Sequence, residues 1–203
     1  MPVRTLFVSK LYEASLATEA GFAAFNAELV AACRAIAAQD KAGQGWSREH
    51  GYGGYTSYAS LDDLTRRDSL FDDLRRKLDR HVAAFARELH LDLGKKLRLD
   101  SLWINILRPG AAHSGHIHPH SVISGTVYVK TPPGASTLKL EDPRLPLMMA
   151  APSRTAEAPE AEQPFVSLAP SAGTVLLWES FIRHEVPANA AISDRISLSF
   201  NYA

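Results

Sequence analysis

Apolar residues recur at helical spacing through the first half of the chain. Residues 22–36 and residues 64–89 each carry apolar side chains three or four positions apart. That period places the apolar side chains on one face of a helix. Two pairs have the form of capping boxes and predict helix entries: Ser60 with Asp63, and Ser69 with Asp72. We therefore expect residues 16–90 to be mainly helical.

Between these two periodic regions lies a segment rich in glycine and aromatic residues. Residues 43–60 read GQGWSREHGYGGYTSYAS. Its glycine content argues against a helix and predicts an ordered loop. Two interpretations fit this loop: a surface excursion pinned by Trp46 and the tyrosines, or the rim of a substrate pocket.

The pattern becomes extended from about residue 97. Short runs rich in β-branched and aromatic residues alternate with Gly, Pro and polar turns, as in LRLDSLWINIL, VISGTVYVK, STLKLE, GTVLLWES, RHEVP and RISLSFNYA. Several short strands in series predict a sandwich or barrel. Residues 143–170 hold six of the twelve prolines, which predicts a long loop or a lid. We expect one α+β domain over residues 1–203, with a mainly helical part at 1–95 and a β-barrel core at 96–203.

Composition and charge exclude several classes of function. Lys plus Arg equals Asp plus Glu, at 22 each, so charge gives no reason to expect nucleic acid or an anionic membrane as partner. Cys33 is the only cysteine, which excludes an internal disulfide or a thiolate zinc cluster. We find no signal-peptide pattern and no apolar run of the roughly 20 residues that span a bilayer. We expect a cytoplasmic protein, with a homodimer through an exposed sheet edge as one possibility.

Four of the eight histidines fall within the stretch HSGHIHPH, residues 113–120. Side chains alternate faces along a strand, so His116 and His118 point the same way if the segment is extended, as Pro119 favours at His118. Two such imidazoles can share a Zn, Fe, Cu or Ni ion. The alternative is a polar loop with no ligand role. His113 and His120 are either supporting groups or bystanders.

A second set of polar positions lies downstream. His184 stands at a predicted strand start, where it can supply a third ligand or be an ordinary surface histidine. Arg195 and Ser197 share one face of the last strand, which suits bidentate capture of a carboxylate in a polar cavity. The alternative is a solvent-exposed edge strand. Further residues are predicted to line the same cavity, or else to be hydrogen-bonded core residues: Asn105, Tyr128, Asn201 and Trp103.

Taken together, these motifs resemble the double-stranded β-helix oxygenases that depend on Fe(II) and 2-oxoglutarate. WINILRPGAAHSGHIHPHSVISGTVYV, KLEDPR and RHEVPANAAISDRISLSFN are similar to a bacterial family of this type. The resemblance implies a jelly-roll or cupin-like barrel, with His116, His118 and His184 as Fe(II) ligands. It also implies that Arg195 binds the far carboxylate of 2-oxoglutarate, with Ser197 beside it.

One position departs from the common oxygenase pattern. That pattern has Asp or Glu two residues after the first histidine, whereas this chain has His118. Three neutral imidazoles leave the metal with one more positive charge than a set containing a carboxylate. Asp142 is expected to form a turn and is a weak alternative as a ligand or, with Arg144, as a substrate contact.

Three functions therefore stay open. The first is an oxygenase that uses 2-oxoglutarate to hydroxylate an unidentified small molecule or peptide. The second is a three-histidine, cupin-like dioxygenase without 2-oxoglutarate, in which Arg195 binds the carboxylate of the substrate itself. The third is a non-catalytic barrel that binds a metal and a small carboxylate.

Overall fold

The computed structural model describes residues 2–203 and contains three helices and ten strands in that range. The helices are α1 (Phe22–Gln39), α2 (Lys41–Glu49) and α3 (Ser69–Glu88). The strands are β1 (Leu11–Ser15), β2 (Tyr55–Thr56), β3 (Leu99–Leu107), β4 (His113–His116), β5 (Ile123–Lys130), β6 (Leu138–Glu141), β7 (Phe165–Leu168), β8 (Thr174–Glu179), β9 (His184–Val186) and β10 (Arg195–Tyr202).

The strands form two antiparallel sheets. The larger sheet has the order β1-β8-β5-β10-β3-β2, and the smaller has the order β4-β9-β6-β7. Strand β10 lies between β3 and β5, with Ser197 opposite Asn105 on one side and opposite Tyr128 on the other. The predicted α+β fold with a two-sheet barrel, the double-stranded β-helix, is confirmed.

The two faces of the larger sheet have different roles. On β10, Leu198 and Phe200 belong to a buried cluster that also contains Leu29 of α1 and Phe71 and Phe85 of α3. The helices therefore cover this face and share one apolar core with the sheet. Because side chains alternate along a strand, Arg195, Ser197, Ser199 and Asn201 point to the opposite face, toward the smaller sheet. The candidate functional site lies on this inner face of the larger sheet.

The segment predicted as a loop, residues 43–60, begins inside helix α2. Asp40 caps α2 by accepting a hydrogen bond from the backbone N–H of Gly43 at 2.9 Å. The same carboxylate accepts from Tyr55 Oη at 2.8 Å and Ser60 Oγ at 2.5 Å. An added Cβ at Gly43 would lie 2.3 Å from Asp40 Oδ2, so the glycine serves close packing and not a turn. The loop prediction was wrong for residues 43–49.

Both predicted capping boxes also differ from the structure. Helix α3 is capped by Asp68, which accepts from the N–H of Leu70 at 2.9 Å, and Ser69 is already its first residue. Ser60 caps no helix, because its hydroxyl is bonded to Asp40. Asp68, one position before Ser69, can cap a helix in the same way, and the local sequence does not show which of the two residues is the cap.

The proline-rich segment is shorter than predicted. Residues 165–168 form β7, which pairs with β6 and places Val166 opposite Leu140. The prediction of a loop was wrong for these residues; their alternation of exposed and half-buried side chains fits an edge strand. Strands β1 and β2 were likewise missed inside the predicted helical part.

No helix among residues 2–203 is long and apolar enough to cross a membrane.

Candidate metal centre

Three histidines from the smaller sheet meet at one point. His116 ends β4 and pairs directly across the sheet with His184, which begins β9. The chain then carries His118 back to the same point, where its backbone N–H donates to the carbonyl of Ser180 at 3.1 Å. One nitrogen from each imidazole lies within 4.8 Å of the other two. The predicted ligand residues are therefore brought together.

Each of these imidazoles has its Nδ1 atom held by a neighbour. His116 Nδ1 lies 2.8 Å from the carbonyl oxygen of Ser114, and His184 Nδ1 lies 3.0 Å from that of Ile182. A carbonyl oxygen only accepts, so Nδ1 carries the proton in both rings. The Nε2 lone pairs of both rings are then free to bind a cation.

Asn201 fixes the third ring in the same way. Its Oδ1 lies 2.6 Å from His118 Nδ1, and its Nδ2 donates to Ser101 Oγ at 3.1 Å. Ser124 Oγ donates to the same Oδ1 at 2.8 Å. Asn201 was predicted as a cofactor-binding residue; the structure places its side chain against His118, where it holds the ring of a predicted ligand. Such supporting hydrogen bonds set the tautomer and basicity of a metal-binding histidine.

Burial keeps the three rings neutral. Desolvation lowers the pKa of His184 to about 3 and that of His118 to about 4, and it also lowers the pKa of His116. Neutral imidazole is the form that binds metal ions. Three neutral nitrogens with fixed tautomers fit a first-row transition metal such as iron, zinc or nickel.

No carboxylate joins the three histidines in the described part of the chain. The acidic residues nearby are paired elsewhere: Asp142 Oδ2 binds Arg144 at 2.8 Å, and Glu185 Oε1 binds Lys139 at 2.9 Å. Asp142 also accepts from the backbone N–H of Arg144, which is the expected turn. The departure noted at His118 is therefore real in the structure.

A narrow cavity of about 30 Å³, the inner cavity, runs from the histidines to Arg195. Arg195 is 2% exposed, and no carboxylate within residues 2–203 lies within 4 Å of its guanidinium. Its Nη1 lies 3.5 Å from Ser197 Oγ, its Cζ lies 4.7 Å from the centroid of the Tyr128 ring, and its Nε has no partner. A buried cation without a counter-ion is costly, so this site is built for an anion.

Other unsatisfied polar atoms surround the guanidinium. The hydroxyls of Tyr52 and Tyr128 and the indole Nε1 of Trp178 are buried without a partner, and all three side chains line the inner cavity. Burial raises the pKa of both tyrosines, while the charge of Arg195 acts against that rise. These groups stay protonated and can donate hydrogen bonds to a carboxylate.

The remaining predicted positions divide into two groups. Asn105 lines the inner cavity, where its Nδ2 donates to Ser199 Oγ at 3.0 Å and its Oδ1 has no partner. Trp103 also lines it. His113 stacks on His116 with ring centroids 4.4 Å apart and belongs to the cavity wall. His120 is exposed and has a φ of 70°, so it is a turn residue outside the cluster.

A wider cavity of about 280 Å³, the outer cavity, borders the same histidines. It is lined by Trp46, Tyr52, Thr56, Tyr58, Trp103, His113, His116, Ile117, His118, Pro119 and Asn201. Four of these residues come from the glycine- and aromatic-rich segment. That segment therefore forms the wall of a pocket, which was the functional interpretation of its composition.

Some site residues carried no sequence signal of their own. Trp178 and Thr126 line the inner cavity, yet each sits in a strand whose apolar pattern marked it as core. Tyr52 lines both cavities but belonged to a segment for which only a general rim was predicted. Their roles follow from the meeting of two sheets, which local pattern does not encode.

A family sequence model described as "Putative 2OG-Fe(II) oxygenase" matches residues 101–201. Residues 101–201 belong to this family. The matched range covers β3 to β10 and contains all three histidines, Arg195 and Ser197. The predicted resemblance is confirmed. No curated protein sequence matches the chain significantly.

Solved structures of the same kind share the fold. A prolyl-4-hydroxylase from Pseudomonas putida is 19% identical over 95% of this chain and 91% of that chain, with a TM-score of 0.61. The non-heme alpha ketoglutarate dependent epimerase SnoN is 17% identical over 96% and 78%, with a TM-score of 0.63. The chain spans only 47% of a 2OG-Fe(II) oxygenase family oxidoreductase from Burkholderia pseudomallei, at 18% identity and a TM-score of 0.41. The first two likenesses establish the common fold and no more.

Proposed function

We propose that this protein is an oxygenase that uses iron(II) and 2-oxoglutarate to hydroxylate an organic substrate. The observation that carries the proposal is Arg195, a buried guanidinium without a carboxylate partner, at the end of a cavity that begins at three neutral histidines. The family match supports the same class of enzyme. The SnoN structure that holds Fe³⁺ and alpha ketoglutarate supports this pair of cofactors.

In this proposal each residue has a separate task. His116, His118 and His184 hold the metal through Nε2. Arg195 and Ser197 bind the far carboxylate of 2-oxoglutarate, and the Tyr52 and Tyr128 hydroxyls add hydrogen bonds. Bound by these residues, iron(II) and 2-oxoglutarate would supply, with O₂, the oxidising power to hydroxylate a substrate C–H bond, with succinate and CO₂ as the other products.

The protein also controls water at the site. Trp103, Leu107, Leu138 and Trp178 form apolar walls of the inner cavity, and its small volume keeps bulk water away from Arg195. Exclusion of water strengthens the attraction between Arg195 and a carboxylate, because the local dielectric constant is low.

Two measurements test the proposal. Anaerobic addition of Fe(II) and 2-oxoglutarate is expected to give a weak visible charge-transfer band, which Arg195→Met weakens and His184→Ala abolishes. In air the protein is expected to convert 2-oxoglutarate to succinate. Absence of both the band and succinate from protein that binds Fe(II) would contradict the proposal.

A three-histidine dioxygenase without 2-oxoglutarate is the second candidate, and the lack of a carboxylate ligand favours it. Arg195 would then bind a carboxylate of the substrate itself. Oxygen consumption that depends on metal but not on 2-oxoglutarate, without succinate, would identify this function. Metal and 2-oxoglutarate binding without any oxygen consumption would instead identify a non-catalytic binding protein. A cytoplasmic location and a homodimer stay predictions.

A further inference from the structure

We infer that the substrate is a small molecule that presents an uncharged ring to the outer cavity. This inference rests on the proposed function and names the substrate class of the same site. The outer cavity touches the metal-binding histidines directly, because His116 and His118 line it together with Trp103 and Tyr58. A group bound there lies next to the metal position.

The walls of the outer cavity are mainly aromatic. Trp103 packs edge-on against Tyr58 with ring centroids 5.0 Å apart, and the Trp103 and His118 rings are 5.7 Å apart. Trp46 and Tyr52 complete the wall. Aromatic side chains bind flat or cyclic apolar groups through stacked and edge-to-face contacts. The shape and chemistry of this wall therefore favour a ring.

Charged groups are missing from the same wall. No Lys, Arg, Asp or Glu lines the outer cavity within the residues that the structure describes. A charged group that moved from water into this cavity would have no ion-pair partner, and its burial would cost several kcal/mol. The buried guanidinium of Arg195 lies in the inner cavity and is assigned to 2-oxoglutarate. The ring that enters the outer cavity is therefore uncharged.

The rim of the cavity leaves apolar surface for a ligand to cover. Tyr58 is 53% exposed and Ile117 is 46% exposed, although both are large apolar residues at the mouth. The cavity volume of about 280 Å³ is close to that of pockets for small molecules. Two edge strands border the cavity, β2 with two residues and β4 with four, and both are too short to offer a peptide much backbone to pair with. A free small molecule fits these features better than an extended peptide.

The wall is built into the fold before any ligand arrives. An added Cβ at Gly54 would lie 2.1 Å from the carbonyl oxygen of Ile106, so the segment sits directly on β3. Tyr55 is tied to Asp40 by its hydroxyl at 2.8 Å. A preformed wall lowers the entropy cost of binding, so the binding of small probe molecules is expected to be strong enough to measure.

A charge series of one ring system tests the inference. The probes are 2-phenylacetamide, phenylacetate and 2-phenylethylammonium, with acetamide as the compound without a ring. The protein is loaded with Ni(II) and saturating 2-oxoglutarate, so that Arg195 is occupied and no turnover occurs. Binding is followed by saturation-transfer NMR and by quenching of tryptophan fluorescence, since Trp46 and Trp103 are two of the three tryptophans. We expect the neutral amide to bind at least about tenfold more tightly than either ion.

Two variants separate this cavity from the rest of the surface. Tyr58→Ala removes a wall ring and is expected to weaken binding of 2-phenylacetamide about fivefold or more. Phe181→Ala is the matched control, because Phe181 is 54% exposed and does not line the cavity. We expect it to bind the amide as the unmodified protein does. A capped Gly-Gly-Phe-Gly-Gly peptide tests the peptide alternative and is expected to bind more weakly than the amide.

The inference fails if either ion or the peptide binds as tightly as the amide, or if no ring compound binds. It also fails if Phe181→Ala weakens binding as much as Tyr58→Ala. Failure here, with 2-oxoglutarate binding and succinate formation intact, would leave the proposed function standing. Loss of 2-oxoglutarate binding and succinate would instead contradict the proposed function itself.

Discussion

Asn201 Oδ1 lies 2.6 Å from Nδ1 of His118, so an uncharged amide supports one of the three proposed metal-binding rings. A carboxylate in this place would make the imidazole more basic, whereas an amide only fixes its tautomer. The site thus has neither a carboxylate ligand nor a carboxylate behind His118.

The first prediction concerns this support. Asn201→Ala leaves the Nδ1 proton of His118 with only Ser124 nearby and frees the ring to rotate. We expect metal affinity to fall about 10- to 100-fold, the usual effect of removing such a partner. A competition titration with Zn(II) measures the change. Asn26→Ala is the control, because Asn26 bonds the carbonyl of Val129 outside the site. Unchanged affinity in Asn201→Ala would show that the amide plays no part in metal binding.

The second prediction concerns Arg195. Arg195→Lys keeps the charge but loses the planar pair of donors, so we expect the dissociation constant of 2-oxoglutarate to rise at least about tenfold. Metal affinity is expected to stay the same, since the guanidinium is not a ligand. Calorimetry on the Ni(II) form measures both. Arg144→Lys is the control, because its surface pair with Asp142 lies outside the inner cavity. Equal co-substrate affinity in the two variants would rule out Arg195 as the anchor.

Acid is expected to destabilise the metal-free protein through its buried histidines. In the unfolded chain His184 takes up a proton near its ordinary pKa of 6.5, but in the folded protein burial lowers the pKa to about 3. Unfolding therefore binds a proton between these values, and stability falls as the pH drops from about 6.5 toward about 3. His184 alone contributes a slope of about 1.4 kcal/mol per pH unit in this window.

Urea unfolding between about pH 6.5 and about pH 5 measures this slope above the range where most carboxylates titrate. His184→Gln is expected to flatten the slope, and His120→Gln, at an exposed turn, is expected to leave it unchanged. Parallel slopes in all three proteins would mean that the buried ring is not the source of the acid sensitivity.

The fourth prediction concerns the wall of the outer cavity. Gly54→Ala forces a methyl group to within 2.1 Å of the Ile106 carbonyl oxygen, so β2 must move off β3. We expect a loss of about 2 kcal/mol or more in the free energy of unfolding and weaker binding of 2-phenylacetamide. Gly45→Ala is the matched control: Gly45 lies inside α2 with open space around its Cβ position, and alanine there is expected to stabilise by about 0.5–1 kcal/mol. Similar effects of the two substitutions on urea unfolding would contradict the close approach.

Much of the site could be predicted because strand geometry is local. The alternation along β10 put Arg195 and Ser197 on the cavity face, as the structure shows. The same rule predicted that His116 and His118 point the same way, but β4 ends at His116, and His118 reaches the cluster from the segment after the strand. The meeting of His116 with His184 depends on the register between β4 and β9. Position in the chain offered His184 either as a third ligand or as a surface histidine, and the family resemblance favoured the ligand. Asn201 was predicted on the correct face of β10, but its contact with His118 depends on the path that the chain takes after β4.

The errors in the fold have a different origin. Helix α2 contains two glycines, and local propensity alone opposes it. It forms because Asp40 ties it to Tyr55 and Ser60, residues that become neighbours only in the folded protein. Strand β7 is likewise stabilised by its pairing with β6. Contacts between distant parts of the chain decided both elements, and a local pattern does not contain them.

The position of β10 has a consequence for the order in which the molecule is made. This strand is the last of the ten to leave the ribosome, yet it fills the gap between β3 and β5. Until residues 195–202 emerge, those two earlier strands expose unpaired edges, and the nascent chain has neither the Arg195 anchor nor the Asn201 support. The proposed centre is therefore incomplete until residues 195–202 have been made, and the half-made sheet is the stage most exposed to aggregation.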